Sequence, residues 1–139
     1  MIQVELSRLI IDENREEQLI ILKEVKGERV FPIVIGIYEA AAIDRKIKNV
    51  KTVRPLTHDL ITNILKELNY TINKIIISDL KKNTFYAKLF ISTNSKEIEI
   101  DSRPSDAIVL AVHLKTPIYV ENKILDEIGT TPDESQPQG

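Results

Sequence analysis

The sequence predicts an α+β domain in which a unit of three strands and a helix occurs twice. Three observations carry that expectation. Runs in which apolar and polar residues alternate, such as Val4-Glu5-Leu6-Ser7 and Phe85 to Ile91, are short and bounded by turn residues, the period-two pattern of half-buried strands. Apolar residues recur at helical spacing at Ala40, Ile43 and Ile47, and again at Leu60, Ile61, Ile64, Leu65 and Leu68. The order strand, hairpin, strand, hairpin, strand, sharp turn, alanine-bearing helix runs from Val4 to Ile47 and again from Ile75 to Leu114. We therefore expect an internal duplication, with repeats at about 4–47 and 75–114 forming a mixed or antiparallel sheet packed with helices, in one domain of residues 1–129.

The first strand runs from Val4 through Leu9-Ile10-Ile11 to the turn Asp12-Glu13-Asn14-Arg15. Gln18 to Glu24 forms the second, and Lys26-Gly27-Glu28 turns the chain into a third, Val30 to Ile37. Proline cannot donate to a strand ladder, so Pro32 places this strand at an edge near its start. Gly36 ends it and a helix begins at Tyr38-Glu39-Ala40. In the loop Arg54-Pro55-Leu56-Thr57-His58-Asp59, Pro55 holds Arg54 extended, Thr57 is the expected N-cap and Asp59 sits in the dipole-favoured first turn of an amphipathic helix ending at Asn69-Tyr70.

Lys74 to Asp79 is apolar through Ile75-Ile76-Ile77, hence a central strand buried on both faces. Lys81-Lys82-Asn83 turns it into Phe85 to Ile91, and Thr93-Asn94-Ser95 leads to Glu97-Ile98-Glu99-Ile100-Asp101. Asp101-Ser102 offers caps for a helix with Pro104 in its first turn, apolar from Ala107 to Leu114 apart from His113. Such a helix must be covered on more than one side, as the central helix of the fold or as a face of a subunit contact. A short strand Ile118-Tyr119-Val120 and a helical turn from Asn122 to Ile128, stopped by Gly129, complete the domain. Residues 130–139 hold two prolines, two glutamines and no apolar side chain, the composition of a disordered tail.

At 139 residues the chain can bury a core without staples, and 23 isoleucines against three phenylalanines and no tryptophan describe an aliphatic one. The absence of cysteine excludes disulfides, thiolate metal sites and thiol catalysis, and suits a cytoplasmic protein. No secretory leader pattern opens the sequence and no long uncharged apolar run crosses it, so we expect no membrane contact. A net charge of −2 counts against coating nucleic acid through a bulk basic field. Cations do gather locally, at Arg45, Lys46, Lys48, Lys51 and Arg54, where a solvated helix end is the plainer explanation.

Several polar sets bear on chemistry. Glu97, Glu99 and Asp101 lie on one strand face, about 7 Å apart in Cα terms, as a solvated face or as carboxylates able to share a divalent ion. His58 beside Asp59 is a loop histidine suited to general acid–base work, or a surface residue. His113 reads as a satisfied core or interface histidine, and Glu39 as a first-turn carboxylate favoured by the dipole. Asp106 is favoured in the same way, whereas Arg103 beside the positive helix end is not. Its partner is a carboxylate elsewhere, the plainer use of an arginine, or a neighbouring subunit, or a phosphate that also takes the free N–H groups. Glycine-rich phosphate loops, zinc patterns and nucleophile elbows are missing from the sequence.

The blocks Pro32-Ile33-Val34-Ile35-Gly36-Ile37-Tyr38-Glu39-Ala40-Ala41-Ala42-Ile43, Arg54-Pro55-Leu56-Thr57-His58-Asp59-Leu60 and Ile100-Asp101-Ser102-Arg103-Pro104-Ser105-Asp106-Ala107-Ile108 together resemble the bifunctional nuclease family, formerly a domain of unknown function. The resemblance implies an α+β fold, a homodimer, and degradation of DNA and RNA, with Glu39, Arg54, His58, Asp59, Arg103 and Asp106 as the polar signature. Under that reading Glu39, His58 and Asp106 are catalytic and Arg54 and Arg103 bind substrate phosphate. Glu39, Asp101 and Asp106 would hold a divalent cation, magnesium or manganese. The other reading is a non-catalytic dimeric binding or regulatory module in which the same groups form ion pairs and caps. Either way, Arg54, His58, Arg103 and Asp106 are expected to converge, and a dimer is expected to bury part of the Ala107–Leu114 helix or the Pro32 edge strand.

Overall fold

Seven strands form one sheet in the order β3-β2-β1-β7-β4-β5-β6 in the computed structural model, which describes residues 1–131. The strands are β1 (Ile2–Ile10), β2 (Glu17–Glu24), β3 (Val30–Gly36), β4 (Thr71–Lys81), β5 (Thr84–Ser92), β6 (Glu97–Ser102) and β7 (Ile118–Val120). Helices α1 (Ile37–Ile47), α2 (Thr57–Glu67), α3 (Pro104–Leu114) and α4 (Asn122–Ile128) complete the chain. Each half is an antiparallel meander followed by a helix: β1-β2-β3-α1, then β4-β5-β6-α3. The short β7 joins them, antiparallel to β1 and parallel to β4, which makes the sheet mixed. The element order therefore recurs as the sequence suggests, with α2, β7 and α4 outside the recurrence.

Local chemistry explains the placement. Pro32 does lie on an edge strand, opposite Ile21 of β2. Ile75, Ile76 and Ile77 are all buried because β4 sits between β7 and β5. The sheet curls strongly: the rings of Phe31 in β3 and Phe85 in β5 are 6.1 Å apart although four strands lie between theirs. Inside the curl sits α3, whose Ala107, Ile108, Val109, Leu110 and Ala111 are all buried. The cover demanded by this apolar helix comes from the chain itself, so its burial needs no second subunit. Gln18, also buried, ties the β1–β2 turn together by donating through Nε2 to the carbonyls of Asp12 and Arg15.

Two helix starts differ from expectation. The N-cap of α3 is Arg103 rather than Asp101 or Ser102, because β6 runs to Ser102, whose hydroxyl donates to the Arg103 carbonyl at 2.8 Å. Pro104 then opens the helix where a missing N–H costs nothing. The N-cap of α2 is Leu56 rather than Thr57, since the Asp59 carboxylate reaches back to accept the Leu56 N–H at 2.9 Å and supplies the cap from inside the first turn. After Gly129, Thr130 exchanges two backbone hydrogen bonds with Val30 at the edge of β3. Residues 132–139, most of the expected tail, lie outside the described residues. No helix among the described residues is long and apolar enough to cross a membrane.

Candidate active site

The two strand-to-helix turns that follow the meanders face each other, and their polar side chains meet. Arg103 and Asp106 stand three residues apart at the start of α3, so they share a face. Arg103 Nε donates to Asp106 Oδ2 at 2.9 Å and Nη2 to Oδ1 at 3.2 Å, a two-pronged pair. The same Nη2 lies 3.5 Å from Glu39 Oε2 in the first turn of α1. Gly36 makes room for that carboxylate, since a Cβ there would collide with Glu39 Oε1. The arginine that the helix dipole disfavours is thus held between two carboxylates.

Helix α2 adds the histidines. His58 Nε2 lies 3.0 Å from Asp106 Oδ1, joining the start of α2 to the start of α3. Two turns along α3, His113 Nδ1 donates to the Val109 carbonyl at 2.9 Å and its Nε2 lies 3.4 Å from Asp59 Oδ1 on α2. Each helix therefore offers the other a histidine and an aspartate, the His113–Asp59 contact being attractive when the imidazole is protonated, and the two ring centres are 6.4 Å apart. This clasp adds to the packing of Ile61 and Leu65, the part-buried side chains by which α2 rests on the core. Burial would raise the Asp106 carboxyl, but the hydrogen bonds with Arg103 and His58 outweigh it and leave the group below the usual carboxylate range. Arg103, hydrogen-bonded to that carboxylate, is pushed up and stays charged.

These groups border two clefts that share a wall. A groove of about 1040 Å³ opens between α2 and the sheet, with Leu89, Ile91 and Ile100 lining one side and Tyr38, Arg103 and Asp106 among its polar or aromatic borders. A second cleft of about 460 Å³ lies beyond Arg45, Leu56 and His58, which line both. His58 stands on the ridge between them.

Of the residues expected to converge, His58, Arg103 and Asp106 do so, and Glu39 joins them through Arg103. Arg54 is exposed in the loop and takes part in no ion pair among the described residues. Asp101 lines the groove but does not join Glu39 and Asp106 in a metal-ligand cluster. Among the described residues no three His, Cys, Asp or Glu side chains are placed to hold a metal ion. The Arg103 guanidinium instead holds Glu39 and Asp106, so the expected metal set does not fit this arrangement. On β6, Glu99 faces Lys88 at 3.5 Å and Glu97 accepts from Asn73 at 2.8 Å, as the solvated face would. His113 was readable only as a satisfied residue; its spacing of two helical turns from Asp106 was the signal that it shares that face. Tyr38, 82% exposed at the groove, carried no such signal.

The bifunctional nuclease domain profile matches residues 20–133, which run from within β2 through α4 and take in every member of this cluster. The chain belongs to the bifunctional nuclease domain family. An uncharacterized protein of Mycobacterium tuberculosis is 39% identical over 126 residues, covering 90% of this chain and 75% of its own. Bifunctional nuclease 1 of Oryza sativa subsp. indica is 24% identical over 136 residues, 91% of this chain but 41% of the rice protein. Bifunctional nuclease 1 of Arabidopsis thaliana is 30% identical over 110 residues, 76% of this chain and 34% of the plant protein. This bifunctional nuclease domain thus corresponds to less than half of each of the two plant proteins.

Proposed function

We propose that this chain hydrolyses phosphodiester bonds in DNA and RNA. The observation that carries the reading is a histidine and an arginine sharing one carboxylate, Asp106, at the border of an open groove; family membership and the plant relatives' names support it. Because a carboxylate only accepts, the His58–Asp106 hydrogen bond places a proton on Nε2 and leaves Nδ1 of the neutral ring as the basic atom. His58 then takes a proton from the attacking water as the new P–O bond forms and the bond to the leaving sugar oxygen breaks, Asp106 steadies the imidazolium, and the leaving oxygen takes its proton from solvent. Arg103 keeps N–H donors beyond those given to Asp106 and, with a side chain 65% exposed, turns them to the phosphate as its charge grows. Arg54 reaches the same strand from the loop. No step is routed through a metal ion; magnesium and manganese are variables of the assay.

A second reading is a non-catalytic dimeric module, favoured by the clasp that holds α2, a helix with no buried residue. Homodimerisation belongs to both readings, and a cytoplasmic location suits a chain without cysteine. The deciding experiment incubates the purified protein with single-stranded RNA and plasmid DNA, with magnesium, manganese or chelator, beside a His58→Ala variant. We expect cleavage by the parent and its loss in the variant. An inert parent overturns the nuclease reading, and equal cleavage by both removes His58 from it.

A further inference from the structure

The clefts on either side of His58 differ in chemistry. The larger has an aliphatic side of Leu89, Ile91 and Ile100 and the ring of Tyr38, 82% exposed, with the charged Glu39, Asp101, Arg103 and Asp106 along its border and Arg45 shared with the smaller cleft. A protein with three phenylalanines, four tyrosines and no tryptophan spends one of its few aromatic rings on solvent there. The smaller cleft is bordered by Arg45, Lys46 and Lys51 at and beyond the end of α1, against one carboxylate, Asp59. Lys48 beside them pairs with Asp44 at 3.1 Å, while Arg45, Lys46 and Lys51 enter no ion pair among the described residues. Three cations on one cleft, with an aliphatic groove wall across a ridge, match the two halves of a nucleotide: anionic backbone and flat apolar base.

We infer that a single strand of nucleic acid crosses the ridge at His58, with an unpaired base in the groove stacked on Tyr38 and the neighbouring phosphates in the cleft of Arg45, Lys46 and Lys51. This rests on the nuclease reading and specifies its substrate as single-stranded or locally opened. A closed duplex keeps each base in its stack and pair, so it cannot fill the groove and the cleft together. The phosphodiester between base and cleft then lies over His58. Acidic net charge is no obstacle, since the cations required are local.

The test measures binding in chelator, where cleavage is suppressed, by fluorescence anisotropy of three probes: a short labelled oligothymidylate, the same backbone carrying abasic sites, and a blunt duplex. We expect the abasic strand and the duplex to bind roughly tenfold or more weakly than the intact strand, as loss of one aromatic stacking contact would give. Tyr38→Ala should weaken the intact strand by a similar factor and leave the abasic strand unchanged, while Tyr38→Phe keeps the difference. Lys46→Gln with Lys51→Gln should weaken intact and abasic strands alike and flatten the salt dependence. Equal affinity for intact, abasic and duplex probes overturns the inference even where the chain cleaves nucleic acid. Selective binding of the intact strand without cleavage at any metal concentration supports it while removing the nuclease reading. If none of the probes binds, the inference is likewise overturned.

Discussion

His58 at the start of α2 and Asp106 at the start of α3 lie 3.0 Å apart although 48 residues separate them in the chain. Arg103 binds the other side of the same carboxylate, so Asp106 is the one group that touches both proposed chemical partners. Its removal takes away both the proposed chemistry and one half of the α2–α3 clasp, so activity and stability must be read together. The Arg103 side chain is 65% exposed, which means that a lost carboxylate leaves it in water rather than stranded in the core. Because His58, 13% exposed, also loses its acceptor, we expect Asp106→Ala to abolish cleavage at a stability cost of about 1–2 kcal/mol, below the 3–5 kcal/mol of a broken buried pair. Melting the variant beside the parent while assaying RNA and DNA checks both halves, and retained cleavage would refute the catalytic role.

Asp106 also sets a direction for acid stability. Its folded carboxyl is held below the unfolded value of 3.8, so between the two the unfolded chain binds the extra proton and stability rises with pH. The contribution is complete above that unfolded value and is lost as pH falls through the folded one. Glu24, hydrogen-bonded to Arg29, and Asp79, which accepts the Leu80 N–H, are lowered in the same sense. Melting temperatures of Asp106→Asn followed downward from neutral pH should fall less steeply than those of the parent in the acid range. Parallel curves would contradict the assignment.

Gly36 tests the placement of Glu39. Its φ of −77° suits any residue, so alanine brings no backbone strain, but its Cβ would meet Glu39 Oε1. The carboxylate must swing away, and Arg103 loses the partner now 3.5 Å distant. With Arg103 65% and Glu39 15% exposed, Gly36→Ala should cost about 1 kcal/mol, as a partly exposed ion pair does, and should reproduce the kinetic defect of Glu39→Gln. A Gly36→Ala protein with parental rates and a damaged Glu39→Gln would show that the carboxylate finds another route to the arginine.

The apolar face of α2 bears on assembly. Leu60, Ile64 and Leu68 follow one another at single helical turns and are 54%, 48% and 51% exposed. Replacing Ile64 with lysine should leave the fold of one chain nearly as stable, within about 0.5 kcal/mol, because the side chain is already half in water. If a second copy covers this stripe, light scattering will report a dimer for the parent and a monomer for Ile64→Lys. A monomeric parent at micromolar concentration would end the homodimer proposal.

The elements themselves were legible because their causes are local. Alternation marked the meanders, Pro32 marked an edge strand, and the unbroken Ile75-Ile76-Ile77 marked a strand with neighbours on both sides. Helix caps were read less well: Thr57 and Ser102 have the right chemistry, yet each cap moved by one residue. At α2 the Asp59 carboxylate reaches back to Leu56, and at α3 strand pairing holds Ser102 in β6. The polar blocks were readable as candidates, whereas the metal set built from Glu39, Asp101 and Asp106 was not realised, since Arg103 takes two of the three.

What the sequence determined by itself was the order of strands and helices, the burial of α3 and the list of polar residues at helix starts, because a period of two or of 3.6 residues is a property of neighbours along the chain. Tertiary structure alone decided that α2 crosses α3 so that His58 meets Asp106 and His113 meets Asp59. Curling of the sheet likewise decided that Phe31 meets Phe85, and the facing of the two strand-to-helix turns that Arg103 lies between Glu39 and Asp106. Hydrogen bonds demand placement within a few tenths of an ångström, and between groups tens of residues apart only the packed sheet and helices supply it.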